Sequence, residues 1–375
     1  MELIDRYGRV HRDLRISLTD RCSLRCTYCM PADGVPWLKS ATLLSTEELV
    51  RLTRVAVGLG VREVRLTGGE PLLRPDVVDV VRELAAISTS DGPLDLSLTT
   101  NALRLPALAA PLRDAGLDRV NISLDTLQRA RFIELTRRDR LADTLAGIEA
   151  ARAVGFAPIK LNALIMRGVN DDEIADLVSF AVERGLQMRF IEHMPLDGGH
   201  TWRREEMVTA SEILGAVATR FDLTPLGAPG SAPAEEFAIA GTTATVGVIA
   251  SVTRTFCERC DRVRLTADGQ FRNCLFAHEE SDLRTLMREG ADDARLAAAM
   301  QACVARKRPG HGIDDPSFVQ PDRPMSAIGG RWGWLLGLGS EWVQSSAMVA
   351  RMSLNISTSR IGSPGNSWKP LSWRR

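Results

Sequence analysis

The chain has 375 residues, 47 Lys plus Arg balanced by 47 Asp plus Glu, and 45% apolar residues, which suits two globular domains or one barrel with an appendage. A formal net charge of zero removes any overall electrostatic case for nucleic acid or an anionic membrane. A mean hydropathy of −0.06, with no apolar run of about 18 residues, argues against membrane spans.

The N-terminal residues 1–6 lack the apolar core of a secretory signal, so a cytoplasmic, reducing setting is expected, where disulfides rarely persist. From there, residues 13–195 alternate strand and helix patterns. The predicted strands are 13–20, 61–69, 94–101, 119–125, 158–166 and 187–194, each short and closed by a polar or glycine-rich turn. Ser45 and Glu48 form a capping box that opens an amphipathic helix running to Gly60. Pro75 fits the first turn of a helix through Val77, Val78, Val81 and Leu84. Residues 170–173 start another helix, ending at Gly185. About six βα units in series predict a parallel sheet with right-handed crossovers. The expected fold class is α/β, a partial, incomplete TIM-type barrel. The alternative, a doubly wound nucleotide fold, lacks G-x-G-x-x-G after its first strand. In a barrel, ligand groups gather at the C-terminal strand ends, here residues 20–22, 68–70, 99–101, 123–125 and 192–194.

After about residue 205 the βα rhythm is expected to stop. Residues 226–236 read as a loop and 244–252 as a strand. The expected organisation is a barrel domain over 1–205, a smaller C-terminal domain over 206–330, and an atypical extension over 331–375. The extension holds five of the seven Trp and nine Ser.

Six of the seven Cys fall into two triplets. Cys22, Cys26 and Cys29 are spaced C-x3-C-x2-C just after the first strand. Three thiolates can hold three irons of a [4Fe–4S] cluster and leave the fourth iron open; a zinc site completed by a distant His or Cys is the alternative. Cys257, Cys260 and Cys274 again offer three thiolates, for a zinc ribbon completed by His278 or for a second cluster. The odd Cys303 reads as a buried small apolar residue in a helix, and His193 and His278 read as structural.

The first triplet, with aromatic Tyr28 before its last Cys and with Gly68-Gly69-Glu70-Pro71 after strand two, resembles the radical S-adenosylmethionine (SAM) enzymes. Adding Arg15-Ile-Ser-Leu-Thr-Asp-Arg-Cys22, Thr99-Thr-Asn, Arg189-Phe-Ile-Glu-His-Met194, Cys260-Asp-Arg-Val-Arg264 and Met325-Ser-Ala-Ile-Gly329-Gly330, the chain resembles the GTP 3′,8-cyclases of molybdenum cofactor biosynthesis. The resemblance implies a lyase that uses SAM and two [4Fe–4S] clusters. Cys22, Cys26 and Cys29 would hold the SAM cluster, and Tyr28, Gly69, Ser123 and Met194 would contact SAM. Cys257, Cys260 and Cys274 would hold the second cluster, in the C-terminal domain. GTP would be bound by Arg15, Arg65, Thr99, Lys160, Arg262, Val263 and Arg264. Arginine forks suit a triphosphate. A 5′-deoxyadenosyl radical would take H3′ from GTP, and C3′ would then join guanine C8. The implied partners are an unidentified reductant, the downstream cyclic pyranopterin monophosphate synthase and a second copy in a homodimer. A radical SAM enzyme modifying a peptide and a zinc-binding module are the competing readings.

Family chains end at the pair matching Gly329 and Gly330, whose free tail reaches the active site and serves catalysis. Here Arg331 and further residues follow. They read as a read-through or frameshift product, or as a cleaved or regulatory extension. They are expected to be poorly ordered, with a docked hydrophobic segment as the alternative, and to hinder cyclisation more than the first radical step.

Overall fold

The computed structural model describes residues 2–197, 199–226, 230–321 and 323. The pair Gly329–Gly330 and the extension over 331–375 lie outside the described residues.

The six predicted strands all form, trimmed at their ends: β1 (Asp13–Ser17), β2 (Glu63–Thr67), β3 (Asp95–Thr100), β4 (Arg119–Ser123), β5 (Ile159–Ile165) and β6 (Gln187–Glu192). They pair in parallel in chain order. Between them run α1 (Thr46–Gly58), α2 (Val77–Ala85), α3 (Leu105–Asp114), α4 (Arg129–Thr136), α5 (Leu141–Ala153) and α6 (Ile174–Glu183). The Ser45–Glu48 capping box is present at α1. Asp76 occupies the N-cap of α2, so Pro75 precedes the cap instead of sitting in the first turn.

The βα rhythm does not stop at 205. It runs through α7 (Ala210–Ala218), and then β7 (Leu223–Pro225), β8 (Glu235–Ile239) and β9 (Thr245–Ile249) follow. The proposed loop 226–236 therefore ends inside β8. β9 pairs in parallel with β6. The chain then crosses to the opposite edge, where β10 (Arg262–Leu265) pairs in parallel with β1. β11 (Gln270–Arg272) and β12 (Ser281–Asp282) extend that edge, before α8 (Leu283–Arg288) and α9 (Asp293–Ala305). The sheet order is β12-β11-β10-β1-β2-β3-β4-β5-β6-β9-β8-β7. It is an open barrel, not a closed one.

Side chains alternate across a strand, and this alternation decides what the barrel can do. One set, including Leu14, Ile16, Val64, Leu66, Leu98, Ile122, Leu161, Phe190, Val248 and Val263, is buried in one core with the helices. The other set faces inward and is rich in polar groups: Arg15, Arg65, Thr99, Ser123, Asn162, Arg189, Arg262 and Arg264 line one cavity, with Ile191 and Ile249 among them. Ordinary barrel interiors are filled by branched aliphatic layers. This one leaves its interior to a polar ligand. Among the described residues no helix is long and apolar enough to cross a membrane.

Candidate active site

The cavity has a volume of about 340 Å³ and collects most of the expected site residues. Cys22, Cys26, Tyr28, Cys29, Gly69, Ser123 and Met194 line it at the strand ends, and Arg15, Arg65, Thr99, Arg262 and Arg264 line it deeper.

The first cysteine loop is fixed by its backbone. Arg25 N donates to Thr136 O (2.9 Å) and Thr27 N to Leu135 O (2.9 Å), while Cys29 N and Met30 N turn back onto Cys26 O. Gly69 has to be glycine: a Cβ there would lie 2.3 Å from Arg21 O and 2.5 Å from Asp20 O. Main chain cannot yield as a side chain would, so this close approach locks the Gly68–Gly69 turn under the cysteine loop. Buried Glu70 ties the same turn to the end of β3, accepting from Leu72 N (3.0 Å), Thr100 Oγ1 (2.7 Å) and Asn101 N (2.8 Å). Burial raises its carboxyl to about 6. Tyr28 donates its hydroxyl to Asp125 (2.6 Å), whose other oxygen accepts from Leu164 N (2.9 Å).

Burial also raises the Cys22 thiol to about 11 and pushes Cys26 up further, with Cys29 and Cys22 as neighbouring charges on Cys26. Thiols buried like Cys22 and Cys26 ionise readily only beside a cationic centre. The second triplet is equally gathered in space: Cys257 is raised first by burial and then by Cys274 and Cys260. Among the described residues no three His, Cys, Asp or Glu side chains converge tightly enough to chelate one metal ion. A cluster would place each thiolate of a triplet on a different iron.

The register explains the basic wall. Arg264, Arg15, Arg65 and Ser97 stand side by side across four parallel strands. Asn162, Arg189 and Gly247 form a facing row. Gly247 leaves room for Arg189, since a Cβ there would lie 3.3 Å from Arg189 Cγ. Asp13 lies 3.3 Å from Arg15 and 3.4 Å from Arg262, and Glu236 lies 2.6 Å from Arg189. Arg65 and Arg264 are held below the usual guanidinium range by burial first and then by Arg15. Among the described residues, the buried Nε atoms of Arg15, Arg189 and Arg262 and Oδ1 of Asn162 find no hydrogen-bond partner. A polyanion with several acceptor oxygens fits the three arginine donors.

Two expected contacts are placed differently. Val263 turns its side chain into the apolar core, opposite Arg262 and Arg264, so only its backbone can serve the cavity. Lys160 stands beside Asn121 and Gln187, off the lining, although Arg189, Arg65 and Glu236 act on it electrostatically. Cys274 lines a second cavity of about 570 Å³ together with His278 and His311. His193 is buried and packs edge-on to Trp202. Cys303 is buried in the core. Sequence reasoning named Arg189 only as part of a matching stretch and passed over Asn162, Asp13, Arg9 and Lys307. The period-2 alternation of β6, β5 and β1 puts Arg189, Asn162 and Asp13 on the polar face and could have found them; Arg9 and Lys307 carry no comparable signal.

Residues 16–181 match the radical SAM superfamily and residues 186–313 match the C-terminal family of molybdenum cofactor synthesis. A GTP 3′,8-cyclase from Streptomyces coelicolor is 56% identical over 331 residues, covering 88% of this chain and 96% of its own length. The chain belongs to the GTP 3′,8-cyclase family. Another member, from Corynebacterium glutamicum, is 52% identical over 336 residues, covering 88% of this chain and 89% of its own. The fold is similar to that of Streptococcus suis SuiB bound to S-adenosylmethionine, with a TM-score of 0.56 at 14% identity over 79% of this chain and 69% of that one. The two matched segments thus meet here in one sheet, with one cysteine triplet from each.

Proposed function

We propose that this chain converts GTP to (8S)-3′,8-cyclo-7,8-dihydroguanosine 5′-triphosphate, the first step of molybdenum cofactor biosynthesis. The observation that carries the reading is the barrel interior lined by five arginines, entered by the Cys22–Cys29 loop and walled by residues next to the second triplet. Cys22, Cys26 and Cys29 would hold the cluster that binds SAM, and Cys257, Cys260 and Cys274 the second. Reductive cleavage of SAM supplies a carbon radical strong enough to remove a ribose hydrogen.

The chain's own residues do the positioning. The Gly68–Gly69 turn offers close backbone approach to SAM, with Tyr28, Ser123 and Met194 around it. Arg15, Arg65, Arg189, Arg262 and Arg264 hold the triphosphate and guanine, with Thr99, Lys160 and the Val263 backbone contributing from the same strands. Fixing the ribose over the radical source replaces a chance encounter with an oriented one. The enclosing wall keeps water and other hydrogen donors out of reach of a reactive radical.

Gly329 and Gly330 would act from the C-terminal tail, and residues 331–375 would hinder that action. A reducing compartment that preserves open thiols is the setting, with an external reductant as electron source. A homodimer is the proposed assembly, and cyclic pyranopterin monophosphate synthase is the proposed consumer of the product. The test is anaerobic incubation of reconstituted protein with reductant, SAM and GTP. Deoxyadenosine and a cyclised GTP are expected, in greater yield from residues 1–330 than from the full chain. Absence of deoxyadenosine from both forms would overturn the reading.

A further inference from the structure

Lys307 is a cation buried to 3% exposure, and among the described residues no carboxylate pairs with it. It follows α9, and its backbone N closes the last turn onto Val304 O. Its ammonium is spent in one place: Nζ donates to Arg262 O (2.8 Å), to Cys260 O (3.3 Å) and to Cys260 Sγ (3.6 Å). An ammonium taken this far from water is costly unless a negative group faces it. Among the described residues, the negative groups that face it are the sulfur of Cys260, in contact, and beyond it that of Cys274. Arg262 Nη1 approaches the same sulfur at 3.9 Å. Arg9 pins the neighbouring backbone, donating to Cys257 O (2.6 Å), Pro309 O (3.0 Å) and Arg308 O (2.7 Å).

The first triplet has the opposite surroundings. Glu70 is the strongest charged neighbour of Cys22 and Asp125 of Cys26, with Arg25 a weaker one on Cys22, and the side-chain donors toward these two sulfurs are neutral groups, Asn101 Nδ2 at 4.0 Å from Cys22 and the Tyr28 hydroxyl toward Cys26. A cluster held by three thiolates is an anion, and more so once reduced. Nearby cations and N–H···S contacts favour its reduced form, and nearby carboxylates disfavour it.

We propose that Lys307 is a positioning residue for the second cluster, fixing Cys260 and raising that cluster's reduction potential above the value the triplet alone would give. This rests on the reading that Cys257, Cys260 and Cys274 hold a cluster. The inference gives the two clusters different electrostatic assignments: an acidic surround where a strong reductant is needed, and a cationic surround beside the substrate.

The test uses the full chain with Cys22→Ser, Cys26→Ser and Cys29→Ser, so that the second cluster alone reports. Its potential is read by a redox titration followed by electron paramagnetic resonance, and its retention by the rate of iron loss to a chelator. Lys307→Met removes both charge and donors. A shift to more negative potential is expected, with iron loss about tenfold faster. Lys307→Gln keeps donors without the charge, so its potential should shift while iron loss stays near the parent rate. Lys307→Arg should restore much of the potential. A merely structural lysine would change iron loss and leave the potential alone. An unshifted potential in Lys307→Gln, or in Lys307→Met with its cluster retained, would overturn the proposal. A parent chain that binds no cluster would overturn the underlying reading, and this inference with it.

Discussion

Five arginines share one cavity, and the chain supplies them with few carboxylates. Arg15 and Arg262 lean on Asp13, and Arg189 leans on Glu236. Among the described residues, Arg65 hydrogen-bonds the Ser97 hydroxyl, at 3.2 Å, and no carboxylate. The cluster is therefore poised for an anion from outside. Asp13→Asn would leave Arg15 and Arg262 facing each other without their shared counter-charge. The folded state should lose on the order of 3 kcal/mol, read by urea denaturation without nucleotide. Saturating GTP supplies replacement charge to the folded state only, so it should recover part of that loss. An equal loss with and without GTP would show that Asp13 does not serve the arginine cluster.

Lys160 gives a pH test at the same scale. Burial first, and then Arg189, pull its ammonium down to about 8, against about 10.4 in an unfolded chain. Below pH 8 the folded state bears the cost of a buried charge. Between 8 and about 10.4 the unfolded chain binds the extra proton, so this residue's contribution to stability improves as pH rises. GTP binding should run the other way, because the ammonium must be present to meet phosphate. Affinity measured by calorimetry should weaken as pH rises through about 8 to 9, and Lys160→Arg should hold its affinity over that interval. If Lys160→Arg weakens in parallel with the parent, Lys160 is not the titrating contact.

At the scale of elements, Glu192 joins three pieces. From the end of β6 its carboxylate accepts from Ala210 N at the start of α7 (2.8 Å), from Val252 N (2.8 Å), from Thr253 N (2.9 Å) and from the Thr253 hydroxyl. The last three begin the crossing segment, 250–261, that carries Cys257 and Cys260. A carboxylate accepts at both oxygens, and an amide cannot. Glu192→Gln would aim an NH₂ group at backbone donors, costing about 1–3 kcal/mol and loosening the crossing. Trypsin should then cut faster after Arg254 and Arg259, while the spectrum of the first cluster persists. Cleavage no faster than in the parent chain would place the tie elsewhere.

The same elements mark how far the sequence could be read. β1 to β6 were legible because each alternates apolar and polar residues between turn signals, and the first triplet was legible because its ligands lie within one loop. The edges were not legible. β9 finds β6 across some fifty residues and β10 finds β1 across the whole chain, and no local pattern encodes either pairing. Arg9 and Lys307 were hidden for that reason: a lone cation near a helix end or a terminus looks solvated until the sheet brings it against Cys257 and Cys260. Val263 was misplaced because a three-residue stretch was taken as one contact surface, while strand geometry sends its middle side chain to the other face.

At the scale of the whole molecule, neutrality is a cancellation. Residues 1–330 carry −5 and residues 331–375 carry +5, so the cavity's positive charge is concentrated inside an acidic body. Its described part is built on one twelve-stranded sheet, beside a two-stranded hairpin over 88–93. The free edge of β1 is covered by β10 and that of β6 by β9, while Leu296, Met300 and Val304 of α9 share one core with Leu49 and Leu52 of α1. Arg51 reinforces that seam by donating to Ala291 O at 2.7 Å. A fragment of residues 1–205 would expose both parallel edges, bare the α1 face and open the arginine interior to water. Exposed edges recruit other chains, and an uncovered apolar face leaves too little burial to offset chain entropy. The fragment is expected to aggregate, or to show helical circular dichroism without a cooperative thermal transition. Residues 1–323 should unfold cooperatively. A monomeric, cooperatively folding 1–205 fragment would show that the first six βα units are self-sufficient and that the later strands are an addition to a finished barrel.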